Sequence, residues 1–176
     1  MKKILTGFAL VLLLTTSIVA GTLAMYTTKI DNLAEGSVVA KEFILTEGGT
    51  DTFTKNVKIA PGETVNWQFS VKNFNGSVIS ETAMDLNFDL DVGAADGKTA
   101  IAPLTITVKD SNGNTVGTVT QSGKIKFSDV FALAASGQEK TYTVSVNWPG
   151  NGANDINYAG AGYGTAVKVS VTGTQK

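Results

Sequence analysis

The side chains best placed to do chemistry are oxygen donors. Asp110-Ser111-Asn112-Gly113-Asn114 sets oxygen-bearing residues at alternate positions, the spacing of a calcium loop, and Asp85, Asp89, Asp91 and Asp96 place more carboxylates nearby in the sequence. The loop lacks the distal bidentate Glu of a complete calcium site. Asn112-Gly113 is also a hairpin signal, and alternating acids are what the solvated face of a strand looks like. Asp110, Asn112 and Asn114 are thus metal-ligand candidates whose simpler reading is a turn, and no cofactor is expected. Asn75-Gly76-Ser77 matches an N-glycosylation acceptor and equally a tight turn. The glycines between 150 and 164 do not lead from a strand into a helix, which argues against a phosphate cradle. Tyr158 and Tyr163 in that stretch offer a contact surface or simply the loop's own packing.

The missing residue types exclude more. Among 176 residues there is no His and no Cys. That removes His/Cys zinc sites, a Cys nucleophile, a Ser-His-Asp triad and an imidazole base working near neutral pH. All 14 basic residues are Lys, so the planar fork that suits Arg to phosphate and carboxylate is absent, and a net charge of −1 argues against a nucleic-acid partner. With only carboxylates, Lys and hydroxyls available, the chain is not expected to be an enzyme. Its length supports one domain that buries about 70% of its unfolded surface without disulfides.

The elements that must carry these residues are strands. Val65, Trp67, Phe69 and Val71 alternate with Thr64, Asn66, Gln68 and Ser70; Met84, Leu86, Phe88 and Leu90 alternate with Asp85, Asn87, Asp89 and Asp91. Leu104, Ile106 and Val108 repeat the pattern, as do Tyr142, Val144, Val146 and Trp148, and then Val167, Val169 and Val171. Period two with one apolar face is a strand half-buried in a sheet. Residues 38–45, 52–59 and 115–120 are further strand candidates. Pro61-Gly62, Asn75-Gly76, Asn112-Gly113 and the 150–164 stretch separate them as turns. Roughly eight short strands at this spacing predict an all-β antiparallel sandwich. One short helix is expected, capped by Ser128, running through Asp129, Val130, Phe131, Leu133 and Ala135, and closed by Gly137.

The first residues read as a sorting signal. Lys2 and Lys3 precede an apolar run from Ile4 to Ala20, after which Thr22 and Ala24 supply the small side chains a signal peptidase needs before a cut at Met25. The expected division is a signal peptide over 1–24, an N-terminal segment over 25–36 and the sandwich over 37–176. Losing 24 residues and two lysines leaves 152 residues with 12 Lys against 15 acids, secreted and without a stable membrane span. Two rival readings remain: an uncleaved anchor, which needs about 18–20 apolar residues and must include Thr15-Thr16-Ser17, and a prepilin cut before Phe8, which would put Leu12 where that class expects Glu.

Gly21-Thr-Leu-Ala24-Met-Tyr-Thr-Thr-Lys29-Ile-Asp resembles the processing region of the TasA and camelysin family of secreted fibre proteins. Ile59-Ala-Pro-Gly-Glu-Thr-Val-Asn-Trp-Gln-Phe-Ser-Val-Lys-Asn-Phe-Asn-Gly-Ser77 is similar to that family's Pro-Gly-Asp strand and its Asn-Gly-Ser turn, and the 81–90 strand matches in character. The resemblance implies a jelly-roll sandwich, export by a dedicated signal peptidase, and head-to-tail assembly with itself into fibres of a biofilm matrix or of related archaeal bundling pili. It also implies that the new N-terminus completes a sheet of the next subunit. The matching residues are Met25, Tyr26, Thr27, Thr28, Lys29, Ile30, Asp31 and Asn32, with Tyr26, Thr28 and Ile30 on one face. The chain lacks the long insertions and Lys-rich tail of some members, and without His the metalloprotease activity described for camelysins does not carry over. The alternative is a monomeric surface module that binds a partner or glycan through its 147–164 loop.

Overall fold

Alternation in the longest central strand fixes which way the sheets face. Met84, Leu86, Phe88, Leu90 and Val92 are all within 2% of full burial, while Asp85, Asn87, Asp89 and Asp91 point outward between them. The computed structural model describes residues 37–150 and 152–176. In chain order the strands are β1 (Thr46–Asp51), β2 (Thr64–Lys72), β3 (Phe74–Asn75), β4 (Val78–Ile79), β5 (Met84–Ala94), β6 (Thr105–Lys109), β7 (Thr115–Thr120), β8 (Gly123–Phe131), β9 (Glu139–Asn147) and β10 (Thr165–Gln175). A 3₁₀ turn, Asp155–Tyr158, lies before β10. Residues 40–176 form one compact unit.

Every ladder between these strands is antiparallel. One sheet has the order β1-β2-β9-β6-β7, a second β10-β5-β8, and β3 and β4 form a small separate hairpin. The two larger sheets bury their apolar faces against each other: Phe88 of β5 lies 4.7 Å from the Tyr142 ring of β9 and 6.1 Å from Phe69 of β2. Ile106, Val108, Val144 and Val146 fill the same layer. The molecule is therefore an all-β sandwich, its core held by interdigitating inner faces at about 1.5–3 kcal/mol per large apolar side chain.

Three sequence expectations change. The helix expected from Ser128 to Gly137 does not form: β8 continues to Phe131 and residues 132–138 are irregular. Strand pairing wins because Phe127, Asp129 and Phe131 register against Phe88, Leu86 and Met84, and the Ser128 hydroxyl bonds Asn87 Oδ1 across the ladder instead of capping a helix. A helix of so few residues has little stability of its own to oppose that. The strand expected over 38–45 is absent, and among the described residues the first ladder begins at Thr46. The strand expected over 52–59 gives way to a turn at Lys55-Asn56 with a left-handed Asn56 (φ 62), although Phe53 and Ile59 still pack on the core.

Candidate functional site

Asp110 is committed to its own turn. Its Oδ1 accepts from the backbone N–H groups of Asn112 and Asn114 at 2.9 and 2.8 Å, and its Oδ2 accepts from Asn114 Nδ2 at 3.1 Å. The side-chain bond from Asn114 is the main cause that holds this carboxyl below the usual range. The Asp-x-Asn-Gly-Asn pattern is thereby explained by the β6–β7 hairpin, in which Gly113 adopts φ 83 and its N–H donates to the Asp110 carbonyl. Among the described residues no group of three or more Asp or Glu is arranged to hold a metal ion.

Asp85, Asp89 and Asp91 spread along the outer face of the three-stranded sheet, and Asp96 lies in the turn beyond β5. Asp89 lies between Lys124 and Lys126 at 3.6 and 3.5 Å, and Asp85 pairs with Lys176 at 2.9 Å. In the 147–164 loop, Tyr158 and Tyr163 meet edge to face at 5.6 Å and rest on the core, while Asp155 accepts from the buried Trp148 indole N–H at 3.0 Å and from Gly152 N–H at 3.1 Å. The loop's aromatics and acid are spent on its own packing. Thr22, Ala24, Met25 and the donor segment 25–32 lie outside the described residues.

What the sequence did not indicate is how unlike the two sides of the sandwich are. On one side β7 and β8 close together. Ile125 sits directly over Gly117, where a Cβ would come within 2.1 Å of Ile125 Cγ2. β8 also points a charge inward, a device that discourages edge pairing: Asp129 accepts from Lys140 Nζ at 2.8 Å and from the Tyr142 hydroxyl at 2.7 Å. Burial pushes the Asp129 carboxyl up, but the bonds from Lys140 and Tyr142 outweigh it and hold the group below its ordinary range. Burial, reinforced by the Asp129 charge, drives the Tyr142 phenol far upward.

On the opposite side a groove of about 440 Å³ runs between β1 and β10. Leu45, Phe53, Phe69, Val71, Val169 and Val171 supply its apolar lining, and Glu47 and Asp51 stand along it. Among the described residues β10 pairs only with β5, over its full eleven residues, and no described strand takes its other edge. β1 is a poor template for pairing because it is bulged, with five residues, Glu47 to Asp51, spanning the register of three, Val71 to Phe69. The buried Ser70 hydroxyl fills the bulge. It accepts from Thr50 N–H at 2.9 Å and donates to Glu139 Oε1 at 2.6 Å, and the same oxygen accepts from Gly49 N–H at 2.8 Å. The Ser70 hydroxyl and the Gly49 amide are what lower the Glu139 carboxyl. A Cβ at Gly48 would lie 2.0 Å from Ser70 Oγ, so this bulge demands glycine. The Gly48-Gly49 pair was the sequence signal for it.

No protein-family model matches the chain, and no curated protein matches it.

Proposed function

We propose that this chain is a secreted structural subunit that polymerises with itself, head to tail, by donor-strand exchange into extracellular fibres of a biofilm matrix or surface pilus. The observation that carries the reading is the groove beside the free edge of β10. Among the described residues the sandwich is closed on one side and open on the other, with an edge that no described strand pairs flanking an apolar trough, and one further strand would fit there. An extended segment with alternating apolar residues satisfies both needs at once, since its backbone pairs with β10 and every second side chain fills the trough.

Residues 25–32 have that alternation, with Tyr26, Thr28 and Ile30 for the trough and Thr27, Lys29 and Asp31 for solvent. Glu42 is tied to the fold, its N–H donating to Glu81 Oε2 and its carbonyl accepting from Glu81 N–H, which leaves residues 33–41 as a tether. Nine extended residues reach about 30 Å, enough to leave one subunit for the next. If each subunit donates onward, the contact is heterologous and grows an open filament unless it closes into a ring. In this reading a signal peptidase frees Met25, the finer fold is jelly-roll-like, and the chain has no enzymatic role. Among the described residues no helix is long and apolar enough to cross a membrane.

The test is negative-stain microscopy of residues 25–176, alone and as Ile30→Asp. Fibres from the first and a folded, non-polymerising monomer from the second are expected. Fibres from a chain lacking residues 25–32, or unfolding of the Ile30→Asp monomer, would show that the segment is an intrachain strand and that donor exchange is the wrong mechanism.

A further inference from the structure

The chain just before β1 is exposed in a way that a finished surface would not be. Val38 and Val39 are 100% and 88% exposed, Phe43 is 41% exposed, and none of residues 37–45 is in a strand. β-branched neighbours such as Val38-Val39 favour an extended chain, and in an extended chain they point to opposite sides. Burying both therefore takes two surfaces, one on each side of the strand. A single face of one folded subunit supplies only one.

Continuity with the groove suggests where the two surfaces come from. Leu45 lines the groove, and in an extended chain Phe43, Lys41 and Val39 share its side, so a stripe that is apolar but for Lys41 leads out of the trough along the chain toward the donor segment. We propose that residues 37–41 form a second, trailing part of the subunit junction, exposed in the free subunit and buried between two copies of the chain once residues 25–32 are seated in the neighbour. This rests on the donor-strand reading and adds the residues that seal the passage from one subunit to the next. As the chain crosses between copies it has its own subunit on one side and the acceptor on the other, which is the environment that two opposed valines require.

The absence of Cys from the chain allows a clean test. Val39→Cys in residues 25–176 is labelled with a maleimide as monomer and as fibre, with Ser111→Cys at the exposed β6–β7 turn as the control. Labelling of Val39→Cys is expected to slow at least about tenfold on assembly while the control does not change. Val38→Ser with Val39→Ser should raise the critical concentration for assembly about tenfold or more and leave the monomer's Tm in place, because neither side chain is packed in the free subunit. Fibres in which Val39→Cys labels as fast as in the monomer would overturn the inference and leave donor exchange standing, with the valines free for another partner. Failure of residues 25–176 to assemble at all would overturn both.

Discussion

At the scale of single residues, Asp129, which points into the sandwich, joins Asp110 and Glu139 among the carboxyls whose lowered pKa ties stability to acid. Asp129 is held below 3.8, so its contribution to stability is complete above that unfolded value and is lost as pH falls through the lower folded value. Tm measured from pH 7 down to pH 2 should fall steeply below about pH 4. Asp129→Asn should flatten that acid limb and cost about 1.5–3 kcal/mol at neutral pH, because the amide still accepts from Tyr142 but no longer neutralises Lys140. An acid limb unchanged in the Asn variant would place the sensitivity elsewhere. Asp110 makes a different prediction. Its oxygens already accept three bonds within the turn, so a chelator should leave Tm unchanged, whereas Asp110→Ala should lower Tm equally with and without calcium. Of these residues, the Asp110 turn was legible in the sequence because its pattern is local. The Asp129–Lys140–Tyr142 cluster was not, because it depends on β8 and β9 facing each other across the core, which spacing along one chain does not encode.

At the scale of elements, the segment after Ile125 separates strand from helix. Phe131 is fully buried and Leu133 is 66% exposed. In the observed arrangement Phe131→Ala should cost about 3–5 kcal/mol by leaving a cavity between the sheets. Leu133→Ala should stay within about 0.5 kcal/mol, since that side chain lies outside the core. Denaturant melts of both variants decide it, and comparable losses would show Leu133 packed as deeply as Phe131, against the observed end of the strand. Strands β2, β5, β6, β9 and β10 were readable because each alternates cleanly over at least five residues, so one residue of slip would turn its apolar set to solvent, whereas β7, with Val116 and Val119 three apart, was readable only from its Thr and Val content after a turn. β8 was missed because Lys124 and Lys126 alternate with Ile125 and Phe127, whereas beyond them Asp129 occupies an inward position and breaks the apolar period. Residues 38–45 and 52–59 had strand-like composition but no ladder to join. β1 itself lies between them in Thr-Glu-Gly-Gly-Thr-Asp, a stretch with no apolar alternation at all. Gly48→Ala is expected to unseat this strand, because the new methyl collides with Ser70 and the clash persists against Ser70 Cβ at 2.6 Å.

At the scale of the whole molecule, the contrast between a closed and an open side among the described strands is the property on which the proposed assembly rests. Lys29→Ser should leave fibre growth nearly unchanged, since that position faces solvent in the seated strand, and growth followed by light scattering would show a stall if Lys29 instead anchors the junction. The open side was invisible in the sequence because a half-buried valine in an edge strand and one in a central strand look identical until the neighbours are known. The close approach of Leu45 to Gly173, 3.0 Å from where a Cβ would stand, puts the segment that leads into β1 beside β10, the strand proposed to receive the neighbour. In a fibre assembled this way, tension enters and leaves each subunit along the same flank. The pull runs parallel to the strands, so it shears the whole junction ladder at once instead of peeling it bond by bond, and β6, β7 and β8 lie off the line of force. Such a fibre would stretch and fail at its junctions, with the folded bodies between them left intact.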